Sequence, residues 1–256
     1  MKRTKKAQQT LKSRPMKNSS AAPPKSTPKS APLPKTPTQK DYIHAIKTLP
    51  MVICTGPAGT GKSFLAASYA ADFLKNRLIE RIYITRPNVP TGRSIGFFPG
   101  SLAEKMEPWT RPIMDTIESV LGKGDLECQV KLGNIEVIPL ETIRGRSFEN
   151  AFVILDEAQN CSLEELKAFV TRIGENCTMV INGDTSQTDT QWNDYKIPLT
   201  RLVELVGTSK ALEKAVAVIE FKREDIVRSG LCQMWVEAFE LLGTSMSKTP
   251  AFLKKP

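Results

Sequence analysis

The stretch "MVICTGPAGTGKSFLAASYA", residues 51–70, decides the fold, because a loop with few side chains joins an apolar run to a helical pattern. Met51 to Cys54 has the composition of a buried strand, and the pattern after Ser63 is that of a helix. Between them, glycines and a proline surround one lysine and one serine. These residues pack poorly, but they leave backbone N–H groups able to surround a phosphate chain.

The loop satisfies the pattern G-x-x-x-x-G-K-[ST] in the strand–loop–helix context that this phosphate-binding motif requires. The residues predicted to contact the phosphates of a nucleotide are Gly56, Pro57, Ala58, Gly59, Thr60, Gly61, Lys62 and Ser63. Lys62 is predicted to neutralise phosphate charge during catalysis, and the Ser63 hydroxyl to ligate Mg²⁺. The alternative is a glycine-rich turn with an incidental lysine.

A second motif, "FVILDE", ends in two acids directly after an apolar run. At a strand end Asp156 is predicted to hold Mg²⁺ and Glu157 to polarise the attacking water, which favours hydrolysis over phosphoryl transfer to a small acceptor. The alternative role for Glu157 is helix capping. The D-x-x-G and N-K-x-D contexts typical of GTPases do not accompany this pair.

Two glutamines are further candidates. "NGDTSQ", residues 182–187, ends a strand predicted to lie beside the first one, and Gln187 there is suited to contact the γ-phosphate and its water. A plain Asp/Gly turn would produce a similar string. Gln39 lies shortly before the first strand, where an amide can read the adenine edge by donating and accepting at once. A polar linker residue is the alternative.

Short Val/Ile-rich runs alternate with helical patterns, which predicts an α/β fold with a mostly parallel sheet covered on both faces. The predicted strands are 51–55, 81–85, 135–139, 150–157, 177–184 and 215–221. The predicted helices are 41–49, 62–78, 101–121 (interrupted or kinked by its prolines), one beginning with a capping box at Ser162 and Glu165, 198–206 and 224–242. Polar segments follow four of the strands, where parallel sheets bind ligands.

The net charge of +9 is located in the N-terminal tail. Residues 1–40 hold 11 Lys or Arg and no acid, which leaves 36 − 11 = 25 basic against 27 acidic residues, a balance of −2 for the rest. Residues 1–37 are therefore predicted to be a disordered Lys/Pro/Ser-rich tail, either a solvated linker or an arm that binds polyanions. We expect a single domain over 38–242 and a flexible tail over 243–256.

Five cysteines without a C-x-x-C pair, and one histidine, leave little material for a zinc cluster. Reduced thiols in a cytoplasmic protein are the simplest interpretation. No apolar run reaches the length of about 20 residues that spans a bilayer.

In combination, these motifs resemble the PhoH family, phosphate-starvation-inducible ATPases whose core is similar to one motor domain of superfamily-one helicases. The resemblance covers about residues 38–240, and its most specific segments, besides the phosphate-binding loop, are "TRP", "GFFPGSL", "IRGRSF" and "ILDEAQN". It implies a three-layer P-loop NTPase fold, RecA/helicase-like, with a single motor domain that takes ATP and Mg²⁺. It also assigns Gln187 to γ-phosphate sensing and Gln39 to adenine reading.

The resemblance further matches Asp225 and Arg228 to the acid and the arginine of a late motif. Because relatives form rings, such an arginine can complete a neighbour's active site; an exposed helix arginine paired with Glu224 or Asp225 is the alternative. The chain departs from the family at Pro90 and Arg93, where glutamates are usual, and in the Ser-Gly pair after Arg228.

These observations predict an ATPase whose hydrolysis is coupled to RNA or single-stranded nucleic acid, working as a homo-oligomeric ring. The candidate nucleic-acid contacts are Arg86, Arg93, Arg144 and Arg146, which can equally brace the sheet or face a neighbour's ATP. The alternatives are a nucleotide-dependent assembly module with slow hydrolysis and a small-molecule kinase. The family implies a bacterial cell, and compact versions of this kind are common in bacteriophages.

Overall fold

A computed structural model describes residues 30–87, 102–185, 197–227, 230, 234 and 235, and all structural statements refer to these residues. The strands are β1 (Met51–Thr55), β2 (Arg81–Thr85), β3 (Ile135–Val137), β4 (Ala151–Leu155), β5 (Cys177–Asn182) and β6 (Val216–Glu220). The helices are α1 (Pro37–Thr48), α2 (Lys62–Lys75), α3 (Leu102–Leu121), α4 (Lys123–Lys131), α5 (Leu163–Val170), α6 (Pro198–Val206) and α7 (Lys210–Ala215). Three 3₁₀ turns lie at Leu140–Thr142, Ala158–Asn160 and Arg223–Asp225.

The strands form one sheet in the order β3-β2-β4-β5-β1-β6, and every pair in it is parallel. All five residues of β1 and of β4 are buried. Near-continuous burial is expected of parallel strands, because the crossover helices cover both faces of the sheet. The predicted α/β class and parallel sheet are therefore confirmed.

Successive residues of each strand enter two separate cores, one on each face of the sheet. Val52 and Cys54 of β1 pack in a core with residues of α1, α2, α3 and α4. Met51 and Ile53 pack in the opposite core with residues of α5 and α6. This alternation is the two-residue period of a strand, and it produces three layers, helix–sheet–helix.

Most predicted elements are present, with boundaries shifted by a few residues. The capping box that begins α5 is present, with Ser162 and Glu165 each bonding the other's backbone. The prolines of α3 were predicted to interrupt or kink it, and the interruption is absent: the helix continues through Pro108 and Pro112. Ile113 and Ile117 of its apolar face are buried in the core, and this packing offsets the lost backbone hydrogen bonds.

The polar helices α4 and α7 were not predicted, because neither has a strong apolar face. The predicted helix over 224–242 begins instead with the 3₁₀ turn Arg223–Asp225, and most of its remainder lies outside the described residues. No described helix is both long and apolar enough to cross a membrane.

The strand order determines which sequence motifs meet. Because β4, β5 and β1 are neighbours and parallel, their carboxyl ends lie side by side at one edge of the sheet. The glycine-rich loop follows β1, the Asp156–Glu157 pair follows β4, and Gly183–Asp184 follows β5. The candidate site is therefore assembled from segments more than a hundred residues apart in the chain.

Candidate active site

The glycine-rich loop needs its glycines for conformation and for space. Gly56, Gly59 and Gly61 have φ angles of 127°, 87° and 90°. These values favour glycine, because a Cβ there clashes with the chain. At Gly56 a Cβ would also collide with the carbonyl oxygen of Phe221, the residue after β6. The loop therefore lies closely against a neighbouring segment.

Segments from both ends of the described chain hold the loop in place. The Gln39 Nε2 group of α1 donates to the Thr60 carbonyl at 2.9 Å. The Val227 N–H donates to the Gly59 carbonyl at 3.1 Å, and the Phe221 N–H to the Thr55 carbonyl at 2.8 Å. With these carbonyl oxygens directed at protein partners, the loop backbone is fixed before a ligand binds.

Lys62 folds back over the loop. Its Nζ donates to the carbonyl oxygens of Gly56 and Pro57 at 2.6 and 2.9 Å. Burial lowers the pKa of Lys62, although nearby ionisable groups, Cys54 and Asp184 foremost, act in the opposite direction. A partly desolvated ammonium group at this position attracts an anionic ligand more strongly than a solvated one.

Ser63 and Asp156 are brought together from different segments. The Ser63 hydroxyl donates to Asp156 Oδ1 at 2.6 Å, and the Asp156 N–H donates to the Thr85 carbonyl at 3.0 Å. Burial raises the pKa of Asp156, and the Ser63 hydrogen bond opposes that shift. A hydroxyl and a carboxylate oxygen are hard donors that fit Mg²⁺, which takes its remaining ligands from water and phosphate.

The described residues contain no group of three or more His, Cys, Asp or Glu side chains that could hold a metal. A site of one carboxylate and one hydroxyl therefore fits Mg²⁺ only together with a phosphate ligand.

Glu157 has an unusual backbone and a restrained side chain. Its φ of 56° lies in the left-handed region, which a non-glycine residue adopts at some cost. One carboxylate oxygen, Oε2, accepts from Gln159 Nε2 at 2.6 Å, and the other lies 3.8 Å from Arg86 Nη2. Although Glu157 precedes a 3₁₀ turn, its side chain makes no capping hydrogen bond there. The capping alternative is therefore not realised.

Gln159 is a site residue to which the sequence assigned no role. It is 4% exposed, and its Oε1 accepts from the Asp184 N–H at 3.0 Å while its Nε2 donates to Glu157. It thus connects the segment after β4 to the segment after β5. The only sequence signal was its place in the polar run "DEAQ" after a strand.

These residues surround a cavity of about 440 Å³. Its lining includes Glu157 and Asp184, the loop residues Lys62 and Ser63, and Leu33 of the N-terminal segment. This volume is typical of small-molecule sites, which span roughly 300–1,000 Å³.

The predicted arginine contacts do not share one location in the structure. Arg86 donates to the Trp109 carbonyl at 3.3 Å, besides facing Glu157. Arg144 and Arg146 are exposed, and Arg146 pairs with Glu136 at 3.2 Å. Neither lines the cavity that the described residues form. Arg93, Gln187 and Arg228 lie outside the described residues, as does Pro90.

Gln39 is 3% exposed and both ends of its amide are bonded to backbone. Its Oε1 accepts from the Lys35 N–H at 2.7 Å, and its Nε2 donates to the Thr60 carbonyl. The segment before it also contacts the domain: Tyr69 donates its hydroxyl to the Pro32 carbonyl at 3.2 Å, and Thr36 caps α1. Contacts with the domain therefore begin several residues before the predicted boundary at residue 38.

Comparison with known proteins gives one consistent family. A family model described as PhoH-like protein matches residues 33–240. The chain is 39% identical over 208 residues to protein PhoH of Escherichia coli (strain K12), covering 78% of this chain and 56% of that protein. It is 41% identical over 206 residues to a PhoH-like protein of Bacillus subtilis (strain 168), covering 80% and 63%. The chain thus spans about three fifths of the length of these relatives.

Among solved structures, the large terminase of a thermophilic bacteriophage matches with a TM-score of 0.48 and 11% identity, over 78% of this chain and 48% of the terminase. A likeness at this level carries no argument about function.

Proposed function

Because the chain belongs to the PhoH family, we propose that it is an ATPase that binds ATP and Mg²⁺ in the cavity at the glycine-rich loop. The observation that carries the proposal is the 2.6 Å contact between Ser63 and Asp156, with Glu157 next in the chain. It places two hard oxygen donors beside the phosphate-binding loop and a carboxylate next to them. This is the set of groups that Mg-dependent hydrolysis of a phosphoanhydride requires.

Each residue has a distinct role in the proposal. The loop N–H groups and Lys62 bind the β- and γ-phosphates, as consecutive amides at a helix N-terminus do. Ser63 and Asp156 would hold Mg²⁺, which when bound neutralises charge on the phosphate oxygens. Glu157 accepts the proton of the attacking water, and Gln159 holds the Glu157 carboxylate in position. Gln187 is proposed to contact the γ-phosphate, and Gln39 marks the base end of the cavity.

We also propose that hydrolysis responds to RNA or single-stranded nucleic acid. The support is the position of Arg86, which faces Glu157 and shortly precedes the sequence segment that contains Arg93. A nucleic-acid phosphate that attracts Arg86 would release one oxygen of Glu157. Arg144 and Arg146 are exposed and suited to backbone phosphates. This chain has a single motor domain. In a ring of such chains, a neighbouring chain would take the place of a second motor domain.

Steady-state phosphate release tests the proposal directly. We expect Mg-dependent turnover of ATP by the full chain, stimulated by oligo(U) RNA or oligo(dT), and none for Lys62→Ala. The substitution removes the ammonium group of Lys62. The negative charge of the phosphates is then uncompensated, in a loop whose backbone is already fixed by hydrogen bonds. Wild-type turnover by Lys62→Ala would refute the site assignment. Turnover that both nucleic acids leave unchanged would refute the coupling only.

A second function, a nucleotide-dependent assembly module with slow hydrolysis, is favoured by one observation. Both oxygens of Glu157 face protein groups, Gln159 and Arg86, which restrain the base. In that case ATP would change the molar mass measured by light scattering, while turnover stayed slow with or without nucleic acid.

A further inference from the structure

The cavity has an apolar wall that phosphate binding does not explain. Leu33 and Phe64 both line it, and they are 84% and 51% exposed. Pro32 lines it as well. Large apolar side chains left open to water beside a ligand cavity indicate that an apolar part of the ligand covers them.

These side chains are held at the cavity by contacts in two different segments. Phe64 follows Ser63 in the first turn of α2, so it lies directly beside the phosphate-binding loop. Leu33 belongs to the segment that α2 holds through the Tyr69–Pro32 hydrogen bond of 3.2 Å. Lys35, two residues on, bonds to Gln39, which bonds to Thr60 of the loop. The N-terminal segment and the start of α2 thus form two sides of one compartment.

We propose that this compartment holds the base of the nucleotide, with Phe64 stacked on the ring and Leu33 covering it from the N-terminal segment. The inference rests on the proposed function, since the loop takes the phosphates and the base is the apolar part that remains. Aromatic stacking suits this task because every base has a π-face.

The same compartment is built to tolerate different bases. Gln39, the polar side chain best placed to read a base edge, is 3% exposed, and both ends of its amide are bonded to backbone groups. In the proposal Gln39 anchors the loop and the base is held by stacking. Stacking tolerates all four bases, so ATP, GTP, CTP and UTP should bind with similar affinity.

Calorimetric titration with the four Mg-nucleotides and with Mg-tripolyphosphate tests the proposal. For the wild type we expect four nucleotide affinities within about threefold of one another, since base stacking is largely sequence-tolerant. Phe64→Ala should weaken all four by about 5- to 150-fold, the usual range for a lost base–aromatic stack. It should leave tripolyphosphate binding unchanged, and Phe64→Tyr should keep wild-type affinity.

Two further variants serve as comparison. Leu205→Ala removes a leucine of α6 that is 55% exposed and is not among the residues lining the cavity, so all affinities should be unchanged. Gln39→Ala should weaken tripolyphosphate and nucleotides by the same factor, because it loosens the loop.

The outcomes separate the inference from the proposed function. Failure of the wild type to bind tripolyphosphate would refute the phosphate site itself. Normal tripolyphosphate binding, with ATP affinity unchanged in Phe64→Ala, would overturn the stacking role alone. An ATP preference over GTP of more than about tenfold, about 1.4 kcal/mol, that Gln39→Ala abolishes would show that Gln39 reads the base and would overturn base tolerance.

Discussion

At the scale of single residues, the proposed chemistry depends on Glu157. Its left-handed backbone turns the chain directly after β4, and its carboxylate is held between Gln159 and Arg86. Backbone strain of this kind persists only where surrounding contacts maintain it. The buried Gln159, which also bonds to the Asp184 backbone, provides such a contact.

We expect Glu157→Gln to keep its affinity for Mg-ATP and to lose about 10²–10⁴-fold in turnover, the usual contribution of a general base. The amide has the shape of the carboxylate and still accepts a hydrogen bond from Gln159, but it cannot take a proton from water. Equilibrium titration and phosphate release measure the two quantities separately. Glu164→Gln, at an exposed position of α5, is the matched control and should behave as wild type. A parallel loss of affinity and turnover would make Glu157 structural.

At the scale of elements, Asp225 joins the start of α1 to the segment after β6. It is 5% exposed, and it accepts from the Lys222 N–H at 3.0 Å. Burial tends to raise the pKa of Asp225, but hydrogen bonds from the Lys222 backbone and from the hydroxyls of Thr36 and Thr38 lower it below its ordinary value. Because α1 and this segment both hold the phosphate-binding loop, Asp225 supports the site from outside the cavity.

We expect Asp225→Asn to destabilise the domain at neutral pH by about 1.5–3 kcal/mol, the usual range for hydrogen bonds to a charged group. Because the pKa of Asp225 is lower in the folded state, its stabilisation is present above the unfolded-state value of about 3.9 and is lost as the pH falls through the folded value. Thermal denaturation from pH 7 to pH 3 should therefore show a Tm difference from wild type that shrinks with acidification.

Asp115→Asn, which alters an exposed carboxylate of α3, is the control and should show a smaller effect at pH 7. A Tm difference for Asp225→Asn that is independent of pH would contradict the role of the charge.

The N-terminal segment before α1 is expected to support both the stability of the domain and the binding of ATP. Deleting residues 1–29 should leave Tm and ATP affinity unchanged, because their Lys/Pro/Ser-rich sequence has no apolar face to pack on the domain. Deleting residues 1–36 also removes Leu33 and the Thr36 cap of α1. Loss of the cap alone costs about 1 kcal/mol, or about 2–4 °C in Tm, and ATP affinity should fall with it. Equal behaviour of the two truncations, measured by thermal denaturation and ATP titration, would show that the segment does not support the site.

At the scale of the whole molecule, one parallel sheet gathers every described part of the site at the carboxyl ends of its strands. Val227 lines the cavity and bonds to the loop through Gly59. Arg228, the next residue, lies outside the described residues, and its role in completing a neighbouring subunit's active site stays a prediction.

Mixing two inactive variants tests which chain supplies Arg228 to the active site. Arg228→Ala should bind ATP and hydrolyse it poorly, since an arginine at the transferring phosphate can contribute about 10³–10⁵ in rate. A mixture of Arg228→Ala with Glu157→Gln should recover no turnover if the arginine acts within its own chain, because no subunit then holds both residues. We expect recovery of turnover in confirmed mixed oligomers, because some interfaces then join an intact Glu157 to a neighbour's intact Arg228; absence of recovery would contradict donation between subunits.

The sequence by itself determined the features that depend on neighbouring residues. The strand and helix patterns, the glycine-rich loop from Gly56 to Ser63, the Ser162 cap and the family all follow from local periodicity, backbone chemistry and motif order. The prediction that the strand ending at "NGDTSQ" lies beside the first strand is confirmed.

Only the tertiary structure decided the contacts between segments that are distant in the chain. Examples are the Gln159–Asp184 bond, the support of the loop by Gln39 and Val227, and the apolar wall that contains Leu33. These contacts join segments 21 to nearly 170 residues apart. No local pattern records them, because each forms only after the strand order has brought the segments together. The physical reason is that a side chain's partner is set by the packing of the sheet and its helices, while its secondary structure is set largely by its neighbours in the chain.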